Sequence, residues 1–345
     1  MTMIAAFRSI GMPALIGDLL VTQHGNDVGT MKKIVILHPK LAVGYSGKLI
    51  SIQPAMRALR NWASQNQISK STLEAFLKSE EMSEHGDGNP YFCNIVGWVI
   101  DEDQSSHCFS WWSNYPSGVY YDDTHYQGTG GAEAKALLFE GPKSPDDDDE
   151  LKRICVFNAA VGLMKEELAP SGRHRDAYGY AFEAIIYNGT QFEYITDSAM
   201  YYHVICNFNS ERRLTNASIN PNLVIVRHRG AFTEVSKVCL GKNREANVNL
   251  ISSAAATKDE VASATEEMKA RLALGFDWSY SVGLEWIRLV YPKVEIPDLY
   301  CTRDKAHQTL SIGEAIKYSI EPSFLEWTLS SILEDMQVKA APNSV

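Results

Sequence analysis

No CxxC pair occurs in this chain of 345 residues, and its six cysteines, at 93, 108, 155, 206, 239 and 301, stand far apart. That spacing excludes a zinc ribbon or a dithiol redox centre. The apolar settings (YFCNIVGWVI, RICVFNAAVG, YYHVICNF) fit small buried hydrophobes rather than disulfides. No uninterrupted apolar run approaches the roughly 18 residues that a membrane-spanning helix needs. A basic stripe is also missing: the net charge is −10, which argues against a nucleic-acid or anionic-membrane partner. The N-terminal stretch has no basic start and carries Arg8 and Asp18 inside its apolar run, so it does not read as a signal peptide and a cytoplasmic location is expected. The NGT and NAS sequons at Asn188 and Asn216 then carry no meaning. His174-Arg175-Asp176 has no second His/Asp group at ligand spacing, and GTGG at 128–131 lacks a P-loop lysine. Neither a metal nor an organic cofactor is expected.

What the chain does have is 45% hydrophobic residues, enough for one large domain or two smaller ones. Residues 3–8 and 14–22 read as strands turning on GMP, and IVILH (34–38) and LAVGYS (41–46) as a second hairpin across Pro39-Lys40. A helix is expected from Pro54 (PAMRALRNWASQ), and another over STLEAFLKSEEM with Ser71 or Thr72 as its cap. FCNIVGWVID and HCFSWWSN follow as strands, and VYYDDTHYQ then leads into GTGGAEAKALLFE, a glycine turn opening a helix. The DDDDE run at 146–150 reads as the first turn of helix LKRICVFNAAVGLMKEEL, where carboxylates meet the positive end of the macrodipole. AFEAIIY and FEYIT form a hairpin on Asn188-Gly189. From 198 onward two or three strands, a Lys/Glu-rich helix around 257–275 and helices near 279–290, 311–318 and 322–336 are expected.

One residue resists this pattern. Asp18 lies in ALIGDLLV, where an unpaired buried carboxylate would cost several kcal/mol, so it needs a cation. Lys32 and Lys33 precede the strand IVILH on the neighbouring hairpin, and one of them can supply it. If Met1 is removed, Thr2 carries both a hydroxyl and a free α-amine, whose ordinary pKa of about 7.7–8.0 makes it a usable base near neutral pH. A cation beside that amine disfavours its protonation. Two unit charges 4 Å apart at an effective dielectric near 20 interact by about 4 kcal/mol, roughly three pKa units, and Asp18 cancels much of this, leaving about one. Gly47, closing its strand, can offer an unobstructed backbone N–H to an oxyanion.

TMIAAF, ALIGDLLVT and KKIVILHPKLAVGYSG, followed by a helix, resemble the start of proteasome β-subunits and of the HslV-type bacterial peptidase. The resemblance implies Thr2 as nucleophile, Asp18 and Lys33 as the charged pair, with Lys32 a rival because the intervening loop is one residue shorter, and Gly47 as the oxyanion-hole amide. GTGGAEAKALL resembles that family's glycine turn into a helix, with Thr129 where its supporting serine stands. HRDAYGYAFE resembles the stretch supplying a second Asp, here Asp176, although Gly179 replaces the serine that follows. It covers about residues 2–197, leaving 198–345 as an extension of unassigned role. The fold it implies is an α+β, four-layer αββα sandwich of N-terminal-nucleophile hydrolase type. The activity it implies is a threonine-type peptidase or amidase acting on peptide or unfolded-protein substrates, in a homo-oligomeric ring, with an ATP-dependent unfoldase as partner. A noncatalytic subunit and a small-molecule amidase of the same fold are the alternatives.

Overall fold

The computed structural model describes residues 2–23, 26–83, 92–128, 130–137, 156, 159–160, 163, 178–195, 198–208, 214–239, 246–273, 284–290 and 299–303. The chain is a mixed α+β protein, rich in strands, with several largely antiparallel sheets and helices. The expected helices at 311–318 and 322–336, and most of the helix after DDDDE, lie outside the described residues.

Strands β1 (Ile4–Ser9) and β2 (Met12–Asp18) form a hairpin at the centre of a first five-stranded sheet. Its order is β10-β1-β2-β11-β12, where β10 is His125–Gln127, β11 is Phe182–Tyr187 and β12 is Phe192–Tyr194. The strand expected over 14–22 is broken at Leu19, and Leu20–Gln23 (β3) pairs instead with Asn26–Thr30 (β4) in a hairpin of its own. A second five-stranded sheet has the sequential order β5-β6-β7-β8-β9: Ile34–His38, Leu41–Gly47, Cys93–Ile100, Ser106–Trp112 and Val119–Asp122. VYYDDTHYQ holds two short strands. β9 closes the second sheet and β10 opens the first, with only Asp123 and Thr124 between them.

Ile4, Ala6 and Leu15 of the first sheet and Ile34, Ala42, Val96 and Trp98 of the second belong to one buried cluster. Trp98 also donates its Nε1–H to the Ala14 carbonyl at 3.0 Å, tying the sheets by a polar bond within that cluster. Two glycines set the approach. A Cβ at Gly44 would come within 2.6 Å of Ile4 Cγ2, and one at Gly17 within 2.7 Å of Ile34 Cγ2.

The other face of the second sheet is covered by α1 (Leu49–Gln65), α2 (Lys70–Leu77) and α3 (Glu80–Ser83). Along α1 the residues Ile52, Ala55, Met56, Leu59 and Ala63 recur at helical spacing and are buried against Tyr45, Ile95 and Trp111. α1 begins five residues before the expected start at Pro54. Proline there leaves the Ile50 carbonyl without its helical donor, and Ile50 is 66% exposed, so water can take the bond. Ser69, not Ser71 or Thr72, caps α2. Its hydroxyl accepts from Thr72 N at 3.2 Å while Thr72 Oγ1 accepts from Ser69 N at 3.0 Å, so Thr72 is the far side of a capping box. On the first sheet, α4 (Gly131–Leu137) contributes Ala134, and the helical residues Val156, Ala160 and Leu163 join it over Ala5, Ala14 and Ile186.

After residue 197 the chain forms a six-stranded sheet, order β16-β15-β14-β13-β17-β18, with α5 at Lys258–Ala273. The strands are β13 (Ser198–Phe208), β14 (Leu214–Arg229), β15 (Phe232–Cys239), β16 (Ala246–Ser252), β17 (Leu284–Val290) and β18 (Leu299–Arg303). The helix expected near 279–290 is therefore corrected to a strand, β17, which runs parallel to β13. Short apolar runs such as LEWIRLV fit either structure by periodicity, and pairing on both sides decides it. This region packs on the first 197 residues. Val224, Val226, Val235 and Ile251 enter the cluster on the first sheet, Ala254 and Ala255 that beneath α1, and Arg60 binds Glu260 through its two terminal guanidinium nitrogens at 3.0 and 2.9 Å.

Gly44→Ala should cost about 1–3 kcal/mol, because both sheets must shift to admit one methyl. Denaturant unfolding checks this as a lowered midpoint with an unchanged slope.

Candidate active site

Asp18 ends β2, and its backbone and side chain grip the start of the chain together. Asp18 N donates to the Met3 carbonyl at 3.1 Å, and Met3 N donates to Asp18 Oδ1 at 2.9 Å. Gly179 N donates to Oδ2 at 3.1 Å, and the Gly179 carbonyl in turn accepts from Leu19 N and Leu20 N at 3.2 and 3.0 Å. Lys33 Nζ lies 2.6 Å from Oδ1 and also donates to the Leu20 carbonyl. Asp18 is wholly buried and Lys33 nearly so, which places the pair beneath the residue that follows Thr2.

Thr2 is held from the other side by Gly128 and Gly130. Gly128 has φ +83°, and a Cβ there would lie 1.7 Å from the Thr2 carbonyl oxygen, so only glycine lets the backbone at this position come this close. Gly130 N donates to the same oxygen at 3.4 Å. Gly47 ends β6 with φ +126°, and a Cβ on it would strike the Phe92 carbonyl at 2.1 Å. Thr2 and Gly47 line one cleft of about 490 Å3, together with Val21, Val28, Leu49 and Phe92, and the polar Thr22, Ser46 and Asn94. Of these, Ser46 donates its hydroxyl to Gln127 Oε1 at 3.0 Å. A larger cleft of about 640 Å3 near Arg229 and α5 shares none of these residues.

Of the candidate residues, Thr2, Asp18, Lys33 and Gly47 are brought together, whereas Thr129 and Asp176 lie outside the described residues. Lys32 goes elsewhere. Its ammonium meets Glu183 Oε1 at 2.7 Å and accepts no role at Asp18. Glu183 sits on β11 opposite Gly17 and is fully buried, and His228 Nδ1 lies 3.0 Å from the same oxygen. Sequence reasoning passed over Glu183, although AFEAIIY carries the same signal as ALIGDLLV, a lone carboxylate among apolar strand residues.

The two pairs are tuned differently. Burial raises the Asp18 carboxyl above its ordinary range, while the Lys33 charge and the N–H groups of Met3 and Gly179 pull it back. Burial likewise lowers the Lys33 ammonium, opposed by Asp18. Burial also raises the Glu183 carboxyl, yet Lys32 and His228 outweigh it and hold it at about 2. Among the described residues no group of three or more His, Cys, Asp or Glu side chains is placed to hold a metal ion, and no helix is long and apolar enough to cross a membrane.

Lys33→Met and Asp18→Asn should each destabilise by about 3–5 kcal/mol, because either strands a buried charge, and the double variant Asp18→Asn/Lys33→Met should cost less than the sum of the two single changes. A double-mutant cycle of unfolding free energies measures this. For Glu183 the folded pKa lies below the ordinary 4.5, so its contribution is present above that value and is lost as pH falls through about 2. Unfolding midpoints followed between pH 6 and pH 2 should fall more steeply for the parent than for Glu183→Gln.

Compared with known proteins, the sequence matches no protein-family model and no curated protein.

Proposed function

We propose that this chain is an N-terminal threonine hydrolase of peptide or amide bonds, built on a proteasome-type four-layer αββα arrangement over about residues 2–197. The observation that carries the reading is the buried Asp18–Lys33 pair, bonded at 2.6 Å directly beneath the Met3 N–H, with Thr2 and Gly47 lining the cleft above it.

In this reading, removal of Met1 leaves Thr2 with a free α-amine and a hydroxyl. The amine takes the hydroxyl proton, Thr2 Oγ attacks the carbonyl carbon, and the negative charge that develops on the carbonyl oxygen is met by the Gly47 N–H. Collapse expels the leaving amine with a proton from the α-ammonium, and water then hydrolyses the ester formed on Thr2. Lys33 keeps the α-amine neutral near pH 7 by its charge, and Asp18 holds Lys33 in place. Val21, Val28, Leu49 and Phe92 give the cleft an apolar part that suits an apolar side chain next to the scissile bond, while Lys48, Thr22, Ser46 and Asn94 leave the rest of its lining polar. A peptide or unfolded-protein substrate, a homo-oligomeric ring and an ATP-dependent unfoldase belong to the same proposal, as does a cytoplasmic location.

A second reading, a noncatalytic subunit of the same fold, is favoured by Gly179. It gives Asp18 a backbone N–H at 3.1 Å but has no hydroxyl to offer Thr2.

Intact-mass measurement should show loss of Met1, and Thr2→Ala should abolish hydrolysis of peptide or amide substrates with little change in stability, while Thr2→Ser keeps part of it. Retained Met1, or full turnover by Thr2→Ala, would overturn the catalytic reading.

A further inference from the structure

The two adjacent lysines are not equivalent, and the second ion pair explains why the region after residue 197 reaches so far into the body. Lys32 Nζ lies 2.7 Å from Glu183 Oε1 and 2.7 Å from Thr233 Oγ1, and all three side chains are fully buried. The Thr233 hydroxyl accepts from Lys32 and donates to Glu183 Oε1, so its proton and its lone pairs are both used. His228 adds a third contact to that oxygen at 3.0 Å and stacks on Tyr194 with ring centroids 4.2 Å apart, while the Lys32 ammonium sits 4.0 Å above the same Tyr194 ring. Glu183 Oε2 is buried and has no hydrogen-bond partner among the described residues, so Oε1 gathers these contacts. Two of the three, from Thr233 and His228, come from the hairpin formed by β14 and β15.

The same region also holds the Lys32 backbone. Lys32 N donates to the Ser252 carbonyl at 3.0 Å, and the Lys32 carbonyl accepts from the Tyr45 hydroxyl, which itself accepts from Ala254 N at 2.7 Å. One residue on, the Lys33 carbonyl accepts from Tyr45 N at 3.0 Å. Consecutive side chains of an extended segment point to opposite sides. Fixing Lys32 on Glu183 therefore fixes the direction in which Lys33 leaves the chain, toward Asp18 and the Met3 N–H.

We propose that Thr233 and His228, on the β14–β15 hairpin, are positioning residues for Lys33: they anchor Lys32 on Glu183, and the segment 252–254 anchors its backbone, so that the candidate site is complete only with the C-terminal sheet docked. As far as catalysis goes, this rests on the reading of Thr2 given above; the positioning itself does not. The C-terminal sheet is then part of the site's own scaffold rather than an appended module.

The test compares the full-length parent with Thr233→Val, His228→Phe and the conservative Thr233→Ser. Amide hydrogen exchange is followed at Tyr45, which bonds the Lys33 carbonyl, at Met3, which bonds Asp18, and at Val99 in the centre of the second sheet as a remote control. Thr233→Val and His228→Phe should speed exchange at Tyr45 and Met3 by about tenfold or more with Val99 within about twofold of the parent, and Thr233→Ser should behave as the parent. In the protein lacking Met1, the pH midpoint for acylation of the Thr2 α-amine should also rise toward its ordinary value of about 7.7–8.0 in the two disruptive variants. Unchanged exchange at Tyr45 and Met3, or equal acceleration at Val99, overturns the proposal. If Thr233→Val fails to fold, His228→Phe, which keeps the ring stacked on Tyr194, decides it alone. Retained Met1, or an ordinary midpoint in the parent, counts against the hydrolase reading, while the exchange measurements still decide the positioning role.

Discussion

A carboxylate with no access to water governs the architecture around it. Asp18 collects Lys33, the Met3 N–H and the Gly179 N–H, and each of these donors comes from a different part of the chain. Meeting the cost of burying that charge therefore requires the N-terminal strand, the segment ahead of β5 and the approach to β11 to converge on one point. The break at Leu19 follows from the same demand. β2 ends at the charge, and the Leu19 and Leu20 amides turn to the Gly179 carbonyl instead of extending the strand.

A second buried charge, Glu183, repeats this solution one residue along both strands. Gly17 faces Glu183 and Asp18 faces Phe182 in the β2–β11 register, while Lys32 and Lys33 are neighbours on the opposing segment. The difference lies in who completes the shell. Asp18 is satisfied from within the first 197 residues, whereas Glu183 draws Thr233 and His228 from beyond them. Apolar burial alone would let the C-terminal sheet slide on the first sheet. Directional bonds to a buried carboxylate give the contact a single register.

Glycine fixes the remaining distances. Gly17 and Gly44 let the two five-stranded sheets come close enough for Ile4 and Ile34 to fill the gap, and Gly128 lets its own backbone lie against the Thr2 carbonyl. The cleft that holds Thr2 and Gly47 thus sits at the ends of elements whose spacing is set by missing side chains.

The sequence by itself determined most elements of the first 137 residues, because alternating apolar runs, turn residues and a helical stripe such as Met56, Leu59 and Trp62 are local signals. It also marked Asp18 as a residue in need of a cation, since an acidic side chain among Ile, Leu and Val is visible without any fold. Only the tertiary structure decided which lysine answers that need, because Lys32 and Lys33 are chemically identical and the choice depends on which one faces Asp18 and which one faces Glu183. The same holds for LEWIRLV, whose strand state rests on β13 and β18 lying on either side. It holds too for Thr233 and His228, which carry no local signal because the charge they satisfy lies 50 and 45 residues away in sequence and becomes their neighbour only when the two sheets pack.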